Sequence, residues 1–150
     1  NRYLPKANQE VTVIGMGCDK KDKGKYDPLP SDLYEVKLQV ETWATCNDAY
    51  GNVHQHNDVC LTTTKDKCAC EGDSGGPYLQ KHPTKNKKLI QVGVQWFDGG
   101  CGSIAPVIGG RTWYIKDWIL ETRCRVSQYK QNLKCPRKYK TKASKVLEVG

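Results

Sequence analysis

The chain has 150 residues, 37% of them hydrophobic, and a formal charge of +8. That suffices for one domain with a sizeable core, though not for a chain packed throughout. No apolar run approaches the ~20 residues that cross a bilayer as a helix, and no signal-peptide pattern is visible. In chain order, residues 10–16 (EVTVIGM) form a β-rich run broken by Gly15 and Gly17. Residues 18–32 are rich in Lys, Asp and Pro and read as an exposed loop. Residues 33–44 alternate. Tyr34, Val36, Leu38 and Val40 face one way, and Glu35, Lys37, Gln39 and Glu41 the other, as in a half-buried antiparallel strand. Cys46 and Cys60 enclose a polar segment that a disulfide would restrain. Further strands are expected at 78–79 and 89–96, separated by a charged hairpin tip at 81–88. In the second of these, Ile90, Val92, Val94 and Trp96 share a face. Residues 97–110 read as a glycine-rich loop containing Cys101. Residues 113–123 (WYIKDWILETR) switch to a helical period, with Ile115, Trp118 and Ile119 as a stripe laid against a body. After Cys124 the pattern fades, and residues 136–150 read as a mobile basic tail. Nine basic residues and one acid lie between 122 and 150, which is the whole charge excess. The fold class expected is all-β: antiparallel strands forming a barrel or sandwich, with one C-terminal helix and the tail.

Eight cysteines at irregular spacing point to disulfides and an oxidising compartment. Metal binding is the alternative. Cys68-Ala69-Cys70 has one residue between thiols, and no second pair at zinc-type spacing answers it, so no metal or other cofactor is expected. Cys124 and Cys135 are close enough in sequence to close a local loop.

The stretch Gly72-Asp73-Ser74-Gly75-Gly76-Pro77 carries the chemistry. A serine hydroxyl is a poor nucleophile until a base takes its proton. The oxyanion formed on acyl transfer needs backbone N–H donors about 3 Å away. Glycines let a loop turn its amides to one point, here those of Gly72 and Ser74. The bland alternative is a glycine-rich turn without chemistry.

Cys70-Glu71-Gly72-Asp73-Ser74-Gly75-Gly76-Pro77 resembles the nucleophile loop of the trypsin/chymotrypsin-like serine proteases. Val13-Ile14-Gly15-Met16-Gly17 resembles the family's strand ending in Gly-Trp-Gly, with Met16 for the tryptophan. Gly93-Val94-Gln95-Trp96 resembles the Ser-Trp strand of the substrate cleft, with Gln95 for the serine, and Trp118-Ile119 resembles the family's C-terminal helix. The match covers roughly residues 4–123. It implies the C-terminal antiparallel β-barrel half of a chymotrypsin-like double barrel over 1–123, followed by a basic extension over 124–150. The family's histidine and aspartate belong to the first barrel. Leu4-Pro5 resembles the linker into the second, so the chain is expected to be the second half only. His54, His56 and His82 read as surface residues. An N-terminal half, on a separate chain or elsewhere in one precursor, is therefore an expected partner, along with a protein or peptide substrate.

The resemblance also implies roles. Ser74 is the nucleophile, Gly72 and Ser74 the oxyanion donors, and Asp73 the acceptor of an amine freed by activation cleavage. Gln95 and Trp96 would offer backbone and an indole wall to an extended peptide. Cys68 stands at the pocket base, where enzymes that cut after Lys or Arg carry an acid. Phe97 and Val107 stand where glycines usually line the pocket, which implies a small, shallow or blocked one. The family pairs Cys46 with Cys60 and Cys70 with Cys101. Cys18 and Cys68 are left, either joined to each other or with one reaching the first half. The family's cysteine six residues after the nucleophile is replaced by Gln80.

Two functions follow from these departures. One is a secreted serine endopeptidase, complete only with the half carrying His and Asp. The other is a catalytically inactive homologue serving as a secreted binding module. The tail adds a separate expectation, contact with a polyanion by counterion release. With Tyr129 and Tyr139 as its only aromatics, it is equally readable as a solvated basic segment.

Overall fold

The computed structural model describes residues 4–18, 21–22, 25–26, 30–51, 53, 56–85, 88–100, 103–127 and 135–136. The chain divides into two units, 1–113 and 114–150. In the first, β1 (Glu10–Gly15), β4 (Tyr34–Gln39), β5 (Asp58–Leu61), β6 (Pro77–Lys81), β7 (Leu89–Phe97) and β8 (Val107–Arg111) form one sheet. Its order is β4-β1-β6-β7-β8-β5, and every pairing is antiparallel. A two-stranded ribbon, β2 (Lys21–Asp22) and β3 (Lys25–Tyr26), lies in the segment expected to be loop.

The two ends of the sheet meet. Val40, just past β4, bridges Leu61 of β5. The Glu41 N–H donates to Cys60 O at 2.8 Å, and the Thr62 N–H donates to Gln39 O at 2.8 Å. The sheet is thus a closed barrel, which removes exposed edges. Alternation then decides what lies inside. Val11 and Val13 from β1, Leu38 and Val40, Val59 and Leu61, Tyr78, Val92 and Val107 fill the interior. This is the barrel half expected from the sequence.

Three further segments differ from expectation. The strand expected over 33–44 stops at Gln39, and a helix, α1 (Trp43–Tyr50), follows. The Thr42 hydroxyl caps it by accepting from the Thr45 N–H at 3.2 Å. Gly51 ends it at φ 73°, a torsion that favours glycine. Trp43 Nε1 donates to Val53 O at 2.6 Å. Cys46 of α1 joins Cys60 of β5, making a second small core with Val53 and Ile108. Closing a loop of this length (14 residues) stabilises on the order of 3 kcal/mol.

The glycine-rich stretch 97–110 contains β8, whose Val107 and Ile108 are buried. Period two also fails within β7. Register shifts against both neighbours place a bulge near Val92 and another near Trp96. A bulge turns consecutive residues to one side, so Val92 and Gly93 are both buried, and so is Gln95.

Cysteine pairing needs a correction. Cys70 bonds Cys18, not Cys101, and Cys18 therefore does not bond Cys68. The reason is local. The Cys18 N–H donates to Glu71 O at 2.9 Å, which lays the end of β1 along the serine turn. Cys46–Cys60 and Cys124–Cys135 form as expected. Cys101, His54 and residues 137–150 of the expected mobile tail lie outside the described residues.

The second unit contains α2 (Lys116–Val126), starting three residues later than expected. Cys124 is its buried residue, while Trp118 and Ile119 are exposed.

Tyr78 makes the barrel interior testable. Its ring lies over Gly109, where an added Cβ would overlap Tyr78 Cε2 and come within 2.8 Å of Val94 O. Gly109→Ala is expected to destabilise the fold by about 1–3 kcal/mol through overpacking. Urea denaturation checks this, and an unchanged midpoint would contradict the packing described.

Candidate active site

The serine turn is held by backbone bonds before any side chain is considered. The Asp73 N–H donates to Cys70 O at 3.0 Å, and the Gly76 N–H to Asp73 O at 2.8 Å. Gly72 has φ 96° and Gly75 φ 86°, the left-handed region where a Cβ is strained. Ser74 lies between them, exposed. The turn is stitched to β7 on its other side. The Gly75 N–H donates to Gln95 O at 2.8 Å, and the Gln95 N–H to Gly76 O at 2.9 Å.

Asp73 fastens the turn to β1. One carboxylate oxygen accepts the Gly17 N–H at 2.8 Å, and the other accepts the Cys70 N–H at 2.8 Å. Hydrogen bonds to a carboxylate are charge-assisted and stronger than neutral ones. The carboxylate fills the space where side chains at 15 and 17 would begin. A Cβ on Gly15 would overlap Asp73 Oδ1, and one on Gly17 would lie 2.6 Å from Asp73 Cγ. The Gly-Met-Gly run is therefore a steric requirement of Asp73. Asp73, Gly15, Gly17 and Cys18 line one groove of about 620 Å³, with Tyr34 and Cys68 also in its wall.

Gln95 and Tyr78 form the layer beneath. Gln95 is 1% exposed, and its side chain accepts a short hydrogen bond from the Tyr78 hydroxyl. Gln95 Nε2 donates to Phe97 O at 3.1 Å. The backbone groups of Gln95 are engaged by the serine turn, which leaves Trp96, 54% exposed, as the open residue of that pair. Phe97 meets Tyr50 of α1 edge-to-face at 5.0 Å, and Trp96 at 5.7 Å. The Tyr50 hydroxyl donates to Pro106 O at 2.7 Å. Cys68 is half-buried beside the buried Ala69.

Burial pushes the Tyr78 phenol well above its ordinary value, with Asp98 and Asp73 adding to the effect. Burial likewise raises the Tyr50 phenol, aided by Asp98.

The structure thus gathers Ser74, Gly72, Asp73 and Gln95 into one bonded unit, and places Trp96 and Phe97 on the adjoining strand end. Sequence reasoning missed Tyr78, Tyr50 and the role of Cys18. Tyr78 left one signal, Gly93 inside the otherwise β-rich run 89–96. An added Cβ at Gly93 would come within 2.9 Å of its ring.

Of the histidines, His56 is exposed on a turn. His82 Nδ1 accepts from the Thr84 and Lys85 N–H groups at 3.2 and 3.0 Å. His82 follows the far end of β6. At ~3.4 Å per strand residue it stands about 17 Å beyond Pro77.

A family model described as Trypsin matches residues 1–119. Serine protease 1 of Drosophila melanogaster is 35% identical over 121 residues, covering 79% of this chain and 42% of that protein. A venom serine protease of Polistes dominula is 36% identical, covering 75% of this chain and 39% of its own length. Phenoloxidase-activating factor 1 of Holotrichia diomphalia is 30% identical, covering 77% and 33%. The chain thus spans less than half the length of these relatives. Among solved structures, neuropsin, a serine protease expressed in the limbic system of mouse brain, superposes with a TM-score of 0.66 at 22% identity. That match covers 81% of this chain and 51% of neuropsin, and it speaks to the fold.

The Tyr78–Gln95 bond predicts a pH effect. A phenol whose pKa is raised on folding contributes stability that is complete below the unfolded value, near 10.0, and is lost as pH rises above it. Tyr78→Phe leaves Gln95 Oε1 without its donor and is expected to cost about 1–2 kcal/mol at neutral pH. The gap between the two proteins should narrow above about pH 10. Denaturation midpoints from pH 8 to 11 test this; a gap independent of pH contradicts a buried, protonated phenol.

Proposed function

Because this chain belongs to the trypsin family of serine proteases, we propose that it is the nucleophile-bearing part of a secreted serine endopeptidase. The observation that carries the reading is the placement of Ser74, exposed between two positive-φ glycines on a turn tied down on both sides. In this reading the Ser74 hydroxyl attacks the peptide carbonyl, its proton passing to a base. The Oγ–C bond forms as the carbonyl opens to the oxyanion; the carbonyl then re-forms as the C–N bond breaks, and the base returns its proton to the leaving amine. The N–H groups of Gly72 and Ser74 stabilise the oxyanion. Water then releases the acid.

Among the described residues, neither histidine is placed to act as the base. His82 is bound to its own hairpin and displaced along β6, and His56 sits on an exposed turn. We assign the base and its orienting carboxylate to the other barrel of the fold, since the chain covers 51% of the solved neighbour. Without that barrel Ser74 retains the reactivity of an ordinary alcohol.

The groove facing Asp73 fits a role in activation, as a receptor for an amine-terminated segment. Specificity is read from Cys68, in the wall of that same groove, and from Phe97 on β7. Cys68 stands where an acid would draw Lys or Arg, and Phe97 is braced against Tyr50. Small uncharged side chains are the favoured substrates. Disulfides fit an extracellular protein. The bracing of Phe97 also favours a second reading, a closed pocket in an inactive homologue that binds without cleaving.

A fluorophosphonate probe on the full-length, activated protein separates the two. Labelling at Ser74 is expected, lost in Ser74→Ala. Peptide hydrolysis should fall with it by roughly 10⁴-fold or more. An activated protein that stays unlabelled supports the binding module.

A further inference from the structure

The Cys18–Cys70 disulfide joins two residues that are each tied to the Asp73 carboxylate. Among the described residues, Cys70 supplies one N–H donor to it, and Cys18 follows the residue that supplies another, Gly17. The Cys18 N–H also donates to Glu71 O at 2.9 Å, one residue past Cys70. Both cysteines are buried, at 4% and 1% exposure. The covalent bond, the two carboxylate bonds and the backbone bond thus close one compact ring of contacts around Asp73. Its donors lie 53 positions apart in sequence.

We infer that the Cys18–Cys70 disulfide is a positioning element for the serine turn, fixing the Asp73 carboxylate through donors contained in this chain. Asp73 directly precedes Ser74, and Gly72 directly precedes Asp73. The orientation of the Asp73 side chain therefore sets the peptide planes that flank the nucleophile. A carboxylate accepts hydrogen bonds only where donors are held in place. Without a cross-link, the segment after β1 must find Asp73 by non-covalent contact alone. With the cross-link, Gly17 and Cys70 cannot separate by more than the disulfide and one residue allow. The bonds that fix the turn all lie within this chain. The groove leaves the carboxylate accessible from one side.

The inference rests on the reading of Ser74 as a nucleophile only for its importance to catalysis. The positioning is read without hydrolysis. The experiment is residue-resolved amide hydrogen exchange on the full-length protein and four variants. Cys18→Ala/Cys70→Ala removes the cross-link. Asp73→Asn weakens the acceptor while leaving the cross-link. The third variant combines them, and Cys46→Ala/Cys60→Ala is the control disulfide.

In the native protein the amides of Gly17, Cys70, Gly75 and Gly76 are expected to be protected before activation. Removing Cys18–Cys70 should lower that protection by about tenfold or more, while β1, β6 and β8 change by less than about twofold. Asp73→Asn should reproduce the pattern, and the combined variant should add nothing to it, as coupled sites do. The control should spare the serine turn.

A uniform loss of protection across the barrel, including failure to fold, would make the disulfide a general staple and overturn the inference. So would unchanged protection at the four amides, or additive effects of the two changes. If labelling of Ser74 fails while this pattern holds, the endopeptidase reading falls and the positioning stands.

Discussion

The Asp73 carboxylate, accepting from Gly17 and Cys70, is the constraint on which the site depends. It links the end of the first strand to the turn that presents Ser74, two parts of the chain with no local reason to meet. The glycines at 15 and 17 exist in that setting because the carboxylate occupies their Cβ positions. A charged acceptor with fixed donors is worth more than a neutral bond, and it is directional. It therefore orders the turn and does not merely hold it near.

Beneath the turn lies a second constraint, which works by volume. Tyr78 fills the barrel between Gly93 and Gly109, and its hydroxyl ends on Gln95. Gln95 in turn uses its backbone to hold Gly75 and Gly76. Packing of one aromatic ring is thus transmitted in two steps to the serine turn. Burying a phenol and an amide together is stable because each satisfies the other. Among the described residues, no buried side-chain polar atom is left unpartnered.

Much of the architecture was legible in the residues. The β-rich run of β1 and the alternation of β4 pointed to strands, with Leu38 and Val40 on the buried face as read, although Tyr34 of that face is exposed; the composition of the serine turn disclosed its positive-φ demands, which Gly72 and Gly75 meet. Legibility failed where neighbours in space decide. Residues 43–50 looked like the end of a strand and a polar loop, although Thr42 and Gly51 were capping signals in plain view. The stretch 97–110 was rich enough in glycine to hide most of β8, whose Gly109 makes room for Tyr78 and the close approach of β7.

The sequence by itself determined the chemical kind of the protein. Local torsion demands, strand period and the Gly-Asp-Ser-Gly-Gly turn are properties of adjacent residues, and they survive in any register. Only the tertiary structure decided which cysteine meets Cys70, why Gln95 is buried, and what Gly15, Gly17, Gly93 and Gly109 make room for. The physical reason is that disulfide pairing and steric vacancy depend on Cα positions brought together by barrel closure. Two β-bulges in β7 shifted those positions by single residues, and no spacing rule carries that information.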